Sequence, residues 1–285
     1  MKSILAAATE KKNIVIIGSS FIGMEVGNAL SKDHNVTIVG MESAPMERVM
    51  GAQVGRIFQS NLSKNGISFN LSASVSHASP AQNSNNVGTV HLKDGTALPA
   101  DLVILGVGVR PATDFLTNNP AITLEKDGSV STDEHFAVKG LDSVYAVGDI
   151  ATYPYHGPGG NGAPVRIEHW NVAQNAGRAA ARSIVYSARG IKVSAKRFIP
   201  VFWSALGAQL RYCGYAGNFD DVVLLEKGEG KFVAFYTNGE TVVAVATMGV
   251  DPVMSKSSEL MRVGRMLGKA EIVNGGDVLD VKINV

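Results

Sequence analysis

The sequence predicts an α/β fold built on a parallel sheet, and two features near its N-terminus support this prediction. Residues 13–17 are almost wholly apolar, as in a parallel strand that is buried on both faces. A helical pattern of apolar residues and a second short apolar run, 36–39, follow directly. Strand, helix and strand together span fewer than 30 residues, the length of a compact βαβ unit.

The rest of the N-terminal region continues in the same style. We expect a helix over 49–65, alternating strands over 67–75 and 88–92, and another buried strand over 102–105. The polar stretch 79–86 is expected to connect two of these strands. Residues up to about 125 therefore form one predicted α/β domain.

The second half changes character. Short strands are predicted at Val130, at Phe136 and over 144–147, followed by a helix over 171–188. From Phe198 onward the pattern is rich in strands. Its clearest elements are a hairpin, 232–237 and 241–247, turning at Asn238-Gly239, and an amphipathic helix over 253–267.

Composition narrows the classes of function. The 285 residues suffice for two modest domains, and 26 basic against 25 acidic side chains leave a net charge of +1. A nearly neutral chain gives no reason to expect nucleic acid or an anionic membrane as a partner. No apolar run reaches about 18 residues, so no membrane span is expected.

A single cysteine, Cys213, excludes an internal disulfide, a redox cysteine pair and a cysteine-rich metal site. It is also typical of a reducing compartment. Residues 1–10 lack the hydrophobic core and cleavage site of a signal peptide. We therefore expect an intracellular protein, with the cytoplasm and the mitochondrion not distinguished.

The most informative motif is the turn Gly18-Ser19-Ser20-Phe21-Ile22-Gly23, which stands where a dinucleotide-binding GxGxxG turn belongs. Gly18 permits the tight turn and Gly23 lets the helix pack closely on the strand. Ser20 replaces the middle glycine, and its hydroxyl could donate to a phosphate. The helix N-terminus adds free N–H groups and about half a positive charge. A merely structural turn is the alternative.

The ribose end of such a site normally carries an acidic residue about 20 positions further on. Here Gly40 occupies that position, and the nearest carboxylate is Glu42. An NADP site would favour arginines, and only Arg48 is near. The sequence therefore favours NADH and leaves NADPH open.

Six blocks in order carry a resemblance to the flavoprotein reductases of the apoptosis-inducing-factor and ferredoxin-reductase type, above all to the apoptosis-inducing-factor-like proteins with a Rieske domain. The blocks are IVIIGSSFIGMEV (14–26), ADLVILGVGVRPAT (100–113), VYAVGDIATYP (144–154), RIEHWNVAQNAGRAAA (166–181), PVFWSALG (200–207) and LRYCGYAGNFDDVV (210–223).

The resemblance implies a role for each matching residue. In the nicotinamide nucleotide site, Gly18, Ser19, Ser20, Phe21 and Ile22 would lie at the pyrophosphate, Glu25 would face the nicotinamide, and Gly106, Val107 and Gly108 would close over the other side. In the FAD site, Asp149 after Gly148 would accept hydrogen bonds from the ribityl chain. The isoalloxazine ring would be bordered by Glu168, His169, Trp170, Phe202 and Trp203.

Simpler explanations exist for several of these residues. Asp149 could cap the turn that follows it, and Trp170 and Trp203 could be core residues. His169 has no histidine or cysteine at ligand spacing, so no metal site is expected there. No catalytic triad is expected either, because the cofactors of such enzymes carry out the redox chemistry.

The resemblance also implies an organisation in three parts. We expect a Rossmann-like three-layer NAD(P)H-binding domain over 1–125, a partial FAD-binding segment over 126–195 and an α+β C-terminal interface domain over 196–285. Such enzymes carry an earlier glycine turn for FAD, and only about twelve residues precede Asn13 here. The chain is therefore expected to be the C-terminal part of a longer enzyme.

The expected function is hydride transfer from NADH to FAD, with electrons passed to an iron–sulfur acceptor, such as a ferredoxin or a Rieske protein, or to another one-electron acceptor. Two alternatives stay open: a module that binds NAD(P)H without flavin, and a non-catalytic interaction protein related to apoptosis. A homodimer is also left open.

Overall fold

The computed structural model describes residues 2–191, 198–206 and 208–283. These residues form two compact units. Unit 1 takes the described residues of Met1–Gly108, Ser204–Leu210 and Leu224–Phe232, and unit 2 takes those of Val109–Trp203, Arg211–Val223 and Val233–Val285. No helix among the described residues combines the length and the apolar character needed to cross a membrane.

Unit 1 contains a four-stranded parallel sheet in the order β3-β2-β1-β7. Its strands are β1 (Asn13–Ile17), β2 (Asn35–Val39), β3 (Ile67–Asn70) and β7 (Leu102–Leu105). The three central residues of β1, Ile14 to Ile16, are at most 1% exposed. The predicted parallel sheet is confirmed, because apolar side chains on both faces of β1 need cover on both sides.

The described residues of unit 1 also form three helices, α1 (Lys2–Ala7), α2 (Phe21–Leu30) and α3 (Glu47–Lys64). The helix predicted over 49–65 is confirmed with a slightly earlier start. Its backbone leaves the helical region at Gly51, where φ is 76° and ψ is 153°, so the first turn of α3 is set off from the rest. Phe58 of α3 packs edge to face on Phe232, with ring centroids 5.9 Å apart.

Unit 1 also contains a three-stranded antiparallel sheet with the order β4-β5-β6: β4 (Val75–Pro80), β5 (Val87–Leu92) and β6 (Ala97–Pro99). The single strand predicted over 67–75 is wrong. Ser72 has φ of 52°, a left-handed conformation that an extended strand does not contain, so the run divides into β3 and β4. The connection predicted over 79–86 is shorter, because β4 continues to Pro80.

Unit 2 contains a three-stranded sheet in the order β10-β9-β8: β8 (Val130–Ser131), β9 (Ala151–Tyr155) and β10 (Ala163–Val165). The strands predicted at Phe136 and over 144–147 are wrong. Phe136 and Ser143 both have positive φ, of 67° and 59°, and only an isolated bridge joins Ala137 to Tyr145. Phe136 is buried all the same, against Tyr153.

The strand-rich C-terminal region forms one five-stranded sheet, most of whose residues belong to unit 2, in the order β11-β12-β15-β14-β13. Its strands are β11 (Val201–Ala205), β12 (Gln209–Gly214), β13 (Asp221–Glu226), β14 (Phe232–Asn238) and β15 (Thr241–Met248). The predicted hairpin is confirmed as β14 and β15, and Gly239 has the positive φ, 56°, that its turn requires.

The remaining helices are α4 (Trp170–Ser187), α5 (Val253–Val263) and α6 (Lys269–Val273). The single helix predicted over 253–267 is wrong at its C-terminal end, because Gly264 adopts a left-handed conformation that ends α5. The predicted boundary at 195–196 lies outside the described residues, and the division into three domains stays a prediction.

Candidate functional site

The glycine turn after β1 is held by contacts between three backbones. A Cβ at Gly18 would lie 2.2 Å from the Gly106 carbonyl oxygen, and a Cβ at Gly23 would lie 2.1 Å from the Gly18 oxygen. A Cβ at Gly106 would come within 3.2 Å of the Cα of Gly23. Side chains at Gly18 and Gly23 are therefore excluded by backbone atoms, which is the close packing that a dinucleotide turn requires.

The turn lies where an α/β sheet commonly binds ligands. From β1 the chain crosses through α2 to β2 on one side, and β7 pairs with β1 on the other. Ligands of open α/β sheets bind outside the carboxyl ends of the strands at such a change of direction. Four large apolar side chains next to these strand ends are more than half exposed: Ile22, Met41, Leu105 and Val107.

Two of those exposed side chains, Met41 and Leu105, are absent from the predicted site. Their exposure is a tertiary property that the apolar pattern does not reveal, because Leu105 closes a strand predicted to be buried. Gly108 has φ of 101° and open space around its missing side chain, so glycine is needed there for backbone conformation.

The two serines of the turn have distinct surroundings. Ser20 precedes α2 as its N-cap, and its hydroxyl donates to the Gly106 carbonyl oxygen at 3.3 Å. The phosphate contact expected from this hydroxyl therefore competes with an existing hydrogen bond. Ser19 is 7% exposed, and its carbonyl oxygen accepts a hydrogen bond of 3.0 Å from Met46 N.

The residues predicted to contact the ribose lie in the segment that follows β2. Glu42 and Arg48 form an ion pair with 2.7 Å between Oε1 and Nε. Glu47 is engaged separately, since its Oε2 accepts hydrogen bonds of 2.8 Å from both the hydroxyl and the N–H of Ser43. These bonds, the hydroxyl's above all, hold the pKa of Glu47 below its usual value.

Glu25, predicted to face the nicotinamide, has a partner that the sequence did not reveal. The Ser204 hydroxyl donates to Glu25 Oε1, although 179 positions separate the two residues. Glu25 lies half-buried on α2, and Ser204 is 6% exposed. The only sequence signal for Ser204 is its place in the block PVFWSALG. Both residues belong to unit 1.

In unit 2, Gly148 and Asp149 lie in a 3₁₀ turn, Gly148–Ile150. Gly148 has φ of 76°, and a Cβ there would lie 3.3 Å from Ala173. The carboxylate of Asp149 is exposed and makes no hydrogen bond to the described residues, whereas its backbone oxygen accepts one from Arg166. The turn-capping role therefore has no support, and the carboxylate is free to accept bonds from a ligand.

Arg166 organises the polar side of this region. Its Nε lies 2.8 Å from Asp127 Oδ2, and its Nη1 donates to both Glu168 and the Asp149 backbone. Hydrogen bonds from Ser129, aided by Arg166, lower the pKa of Asp127 to about 2. Arg166 belongs to the fourth sequence block but was not among the predicted site residues. Glu168 is thus held by a cation beside the Asp149 turn.

The predicted aromatic residues of unit 2 form one cluster. Trp170 and Trp203 meet perpendicularly with centroids 4.7 Å apart, and His169 lies 5.3 Å from Phe202 and 5.9 Å from each tryptophan. Trp170 and Trp203 are 51% and 47% exposed, so the alternative that they are core residues is wrong. His169 Nδ1 accepts from Asn171 N and so caps α4.

Cys213 takes no part in this cluster as a nucleophile. The thiol is fully buried, and burial raises its pKa to about 12.

The chain is similar in sequence to a known family and to individual known proteins. Residues 2–177 match the family model described as pyridine nucleotide-disulphide oxidoreductase. Apoptosis-inducing factor 3 of Homo sapiens is 35% identical over 264 residues, which are 92% of this chain and 42% of that protein. Monodehydroascorbate reductase 3 of Arabidopsis thaliana is 29% identical over 246 residues, 84% of this chain and 54% of that protein.

Two solved structures share the fold. Putidaredoxin reductase in its covalent complex with putidaredoxin has a TM-score of 0.81 and 24% identity, covering 92% of this chain and 61% of that chain. A ferredoxin reductase from Rhodopseudomonas palustris has a TM-score of 0.82 and 23% identity, covering 95% and 64%. The chain thus spans less than two thirds of the length of each of these four proteins.

Proposed function

Because the chain belongs to the pyridine nucleotide-disulphide oxidoreductase family, we propose that it takes part in FAD-dependent oxidation of NAD(P)H. The family recognised from the six sequence blocks and the α/β fold are both confirmed. The chain covers only part of its relatives' length, so the activity of a whole enzyme is a proposal here.

The observation that carries the proposal is the packing of Gly18, Gly23 and Gly106 at the carboxyl ends of β1 and β7. This packing holds the turn tight and the helix close to the sheet, so that the N–H groups at the start of α2 are presented to a pyrophosphate. The exposed apolar side chains of Ile22 and Val107 supply walls beside it. Ser20 keeps the Gly106 loop against the turn through its hydroxyl.

Glu25 would then act at the nicotinamide end, oriented by the hydrogen bond from Ser204. In unit 2, the unpaired carboxylate of Asp149 would accept bonds from the ribityl hydroxyls of FAD, as charge-assisted bonds that are short and comparatively strong. Trp170 and Trp203 would cover a flat ring and exclude water from it. FAD, when bound, supplies the acceptor for the hydride.

The electron acceptor is a further proposal. We infer a one-electron acceptor of the iron–sulfur class, such as a ferredoxin or a Rieske protein. Two observations support this proposal. The six sequence blocks resemble flavoprotein reductases of the ferredoxin-reductase type, and putidaredoxin reductase, solved in a covalent complex with putidaredoxin, shares the fold. The homodimer that the sequence left open stays a prediction.

Two measurements on the purified chain test this function. Titration with NADH and with NADPH, followed by nucleotide fluorescence, should give saturable binding of at least one of them. Visible absorption, before and after addition of FAD, should report bound flavin that NADH then bleaches. Nucleotide binding without any flavin binding would favour the simpler nucleotide-binding module, and the absence of nucleotide binding would refute the proposal.

A further inference from the structure

At the end of β2 there is no space for the acidic side chain that usually binds the ribose of a dinucleotide. A Cβ at Gly40 would lie 2.4 Å from Ser19 Oγ and 2.9 Å from Ser19 Cβ. Gly40 has no positive φ, so glycine is needed there for space and not for backbone conformation. The buried side chain of Ser19 fills the place from which an acidic residue would reach the 2′-hydroxyl of NAD.

A cationic side chain, that of Arg48, lies near this position instead. Arg48 lies in the first turn of α3, its side chain is 73% exposed, and Glu42 binds its Nε. The terminal nitrogens of Arg48 have no hydrogen-bond partner among the described residues. Because Glu42 holds one edge of the guanidinium, the other edge is oriented and available to a second acceptor.

Backbone hydrogen bonds attach this segment to the glycine turn. Met46 N donates to the Ser19 oxygen at 3.0 Å, two positions before Arg48. Ser72 N donates to the Glu42 oxygen at 2.9 Å, which secures the other end. Arg48 is therefore anchored close to the proposed pyrophosphate site, at the side where the adenosine ribose would lie.

We propose that Arg48 forms a subsite for the 2′-phosphate of NADPH, and that the chain binds NADPH at least as tightly as NADH. The inference rests on the proposed nucleotide binding and reverses the NADH preference expected from the sequence. A carboxylate at position 40 would repel a 2′-phosphate, and here that position is a glycine. The nearby carboxylate of Glu42 is paired with Arg48. A guanidinium held by Glu42 can pair with a phosphate through its free edge.

The test compares dissociation constants for NADPH and NADH by nucleotide fluorescence, in the wild-type chain and in Arg48→Gln. Arg48→Gln should raise the Kd for NADPH about tenfold or more, because a hydrogen bond to a charged group is lost, and should leave that for NADH within about twofold. Arg56→Gln removes an exposed cation from the same helix beyond Gly51 and should change neither.

A second variant keeps the inference falsifiable in the opposite direction. In Ser19→Gly/Gly40→Asp the first change makes room for the second, and the new carboxylate should shift the preference to NADH by about tenfold or more. A wild-type chain that binds NADH more tightly than NADPH would overturn the inference. So would Arg48→Gln weakening both nucleotides equally, or neither. Failure of both nucleotides to bind would instead remove the proposed function itself.

Discussion

The hydrogen bond from Ser204 to Glu25 joins two residues of unit 1 that are 179 positions apart, and Ser204→Ala removes its donor. Hydrogen bonds to charged groups contribute about 1.5–3 kcal/mol to stability. Water can partly replace the hydroxyl, because Glu25 is only half-buried. The expected loss in the free energy of unfolding is therefore about 1.5 kcal/mol, or a Tm lower by roughly 3–6 °C.

Urea unfolding followed by tryptophan fluorescence measures this loss, provided that the m-value stays constant. Ser204→Thr keeps a hydroxyl at the same position and serves as the matched control. The double variant Ser204→Ala/Glu25→Gln completes a cycle, in which the two changes should couple by about 1 kcal/mol, because one removes the donor of the bond and the other removes the charge that strengthens it.

Additivity within about 0.3–0.5 kcal/mol would show that the two side chains do not interact in solution, and would refute this reasoning. The cycle also has a functional reading. If Glu25 acts at the nicotinamide, Ser204→Ala and Glu25→Gln should change the Kd for NADH in the same direction. The double variant should then change it no more than the stronger single variant does.

Three further outcomes are expected. Gly23→Ala should abolish nucleotide binding and destabilise the chain by more than about 2 kcal/mol in urea unfolding, since its Cβ would lie 2.1 Å from the Gly18 oxygen. Gly177 lies on α4 with open space around its missing side chain, so Gly177→Ala is the matched control and should stabilise the chain by up to about 1 kcal/mol. Trp170→Ala should cost about 1 kcal/mol, because the side chain is 51% exposed, and not the 3–5 kcal/mol of a buried tryptophan; a larger loss in urea unfolding would contradict the exposure. The pKa of Asp127 lies at about 2, below its ordinary 3.8, so the stabilisation from its ionised form is present above about pH 4 and is lost as the pH falls toward 2. Its side chain is 46% exposed, so solvent screening keeps this contribution under about 2 kcal/mol. In acid titrations Asp127→Asn should flatten that part of the stability curve, and an unchanged acid limb would exclude the contribution.

Several elements follow from local sequence alone. The apolar run of β1, the glycine turn and the Asn238-Gly239 hairpin are confirmed because short-range patterns determine them. The strands predicted at Phe136 and over 144–147 are wrong, and Phe136 and Ser143 have positive φ, which an extended strand does not contain. The sequence pattern does not distinguish an apolar residue in a left-handed conformation from an apolar residue in a strand.

The candidate site divides in the same way. The glycine positions, Asp149 and the aromatic residues could be placed from the six blocks, whereas Ser204 and Arg166 became site residues only through their partners. Exposure of Met41 and Leu105 likewise depends on which strand ends lie side by side. Roles for all of these residues stay predictions that the binding experiments address.

The sequence by itself determined that the chain carries a strand, a glycine turn and a helix in the order typical of nucleotide-binding domains, because those features depend on residues a few positions apart. Only the tertiary structure decided what stands at the end of β2, where the ribose is proposed to bind. Gly40 is a missing carboxylate in the sequence, and in the fold it is a space already filled by Ser19 from the neighbouring turn. Steric exclusion between segments 21 residues apart is a property of three-dimensional packing, which no spacing of residue types records.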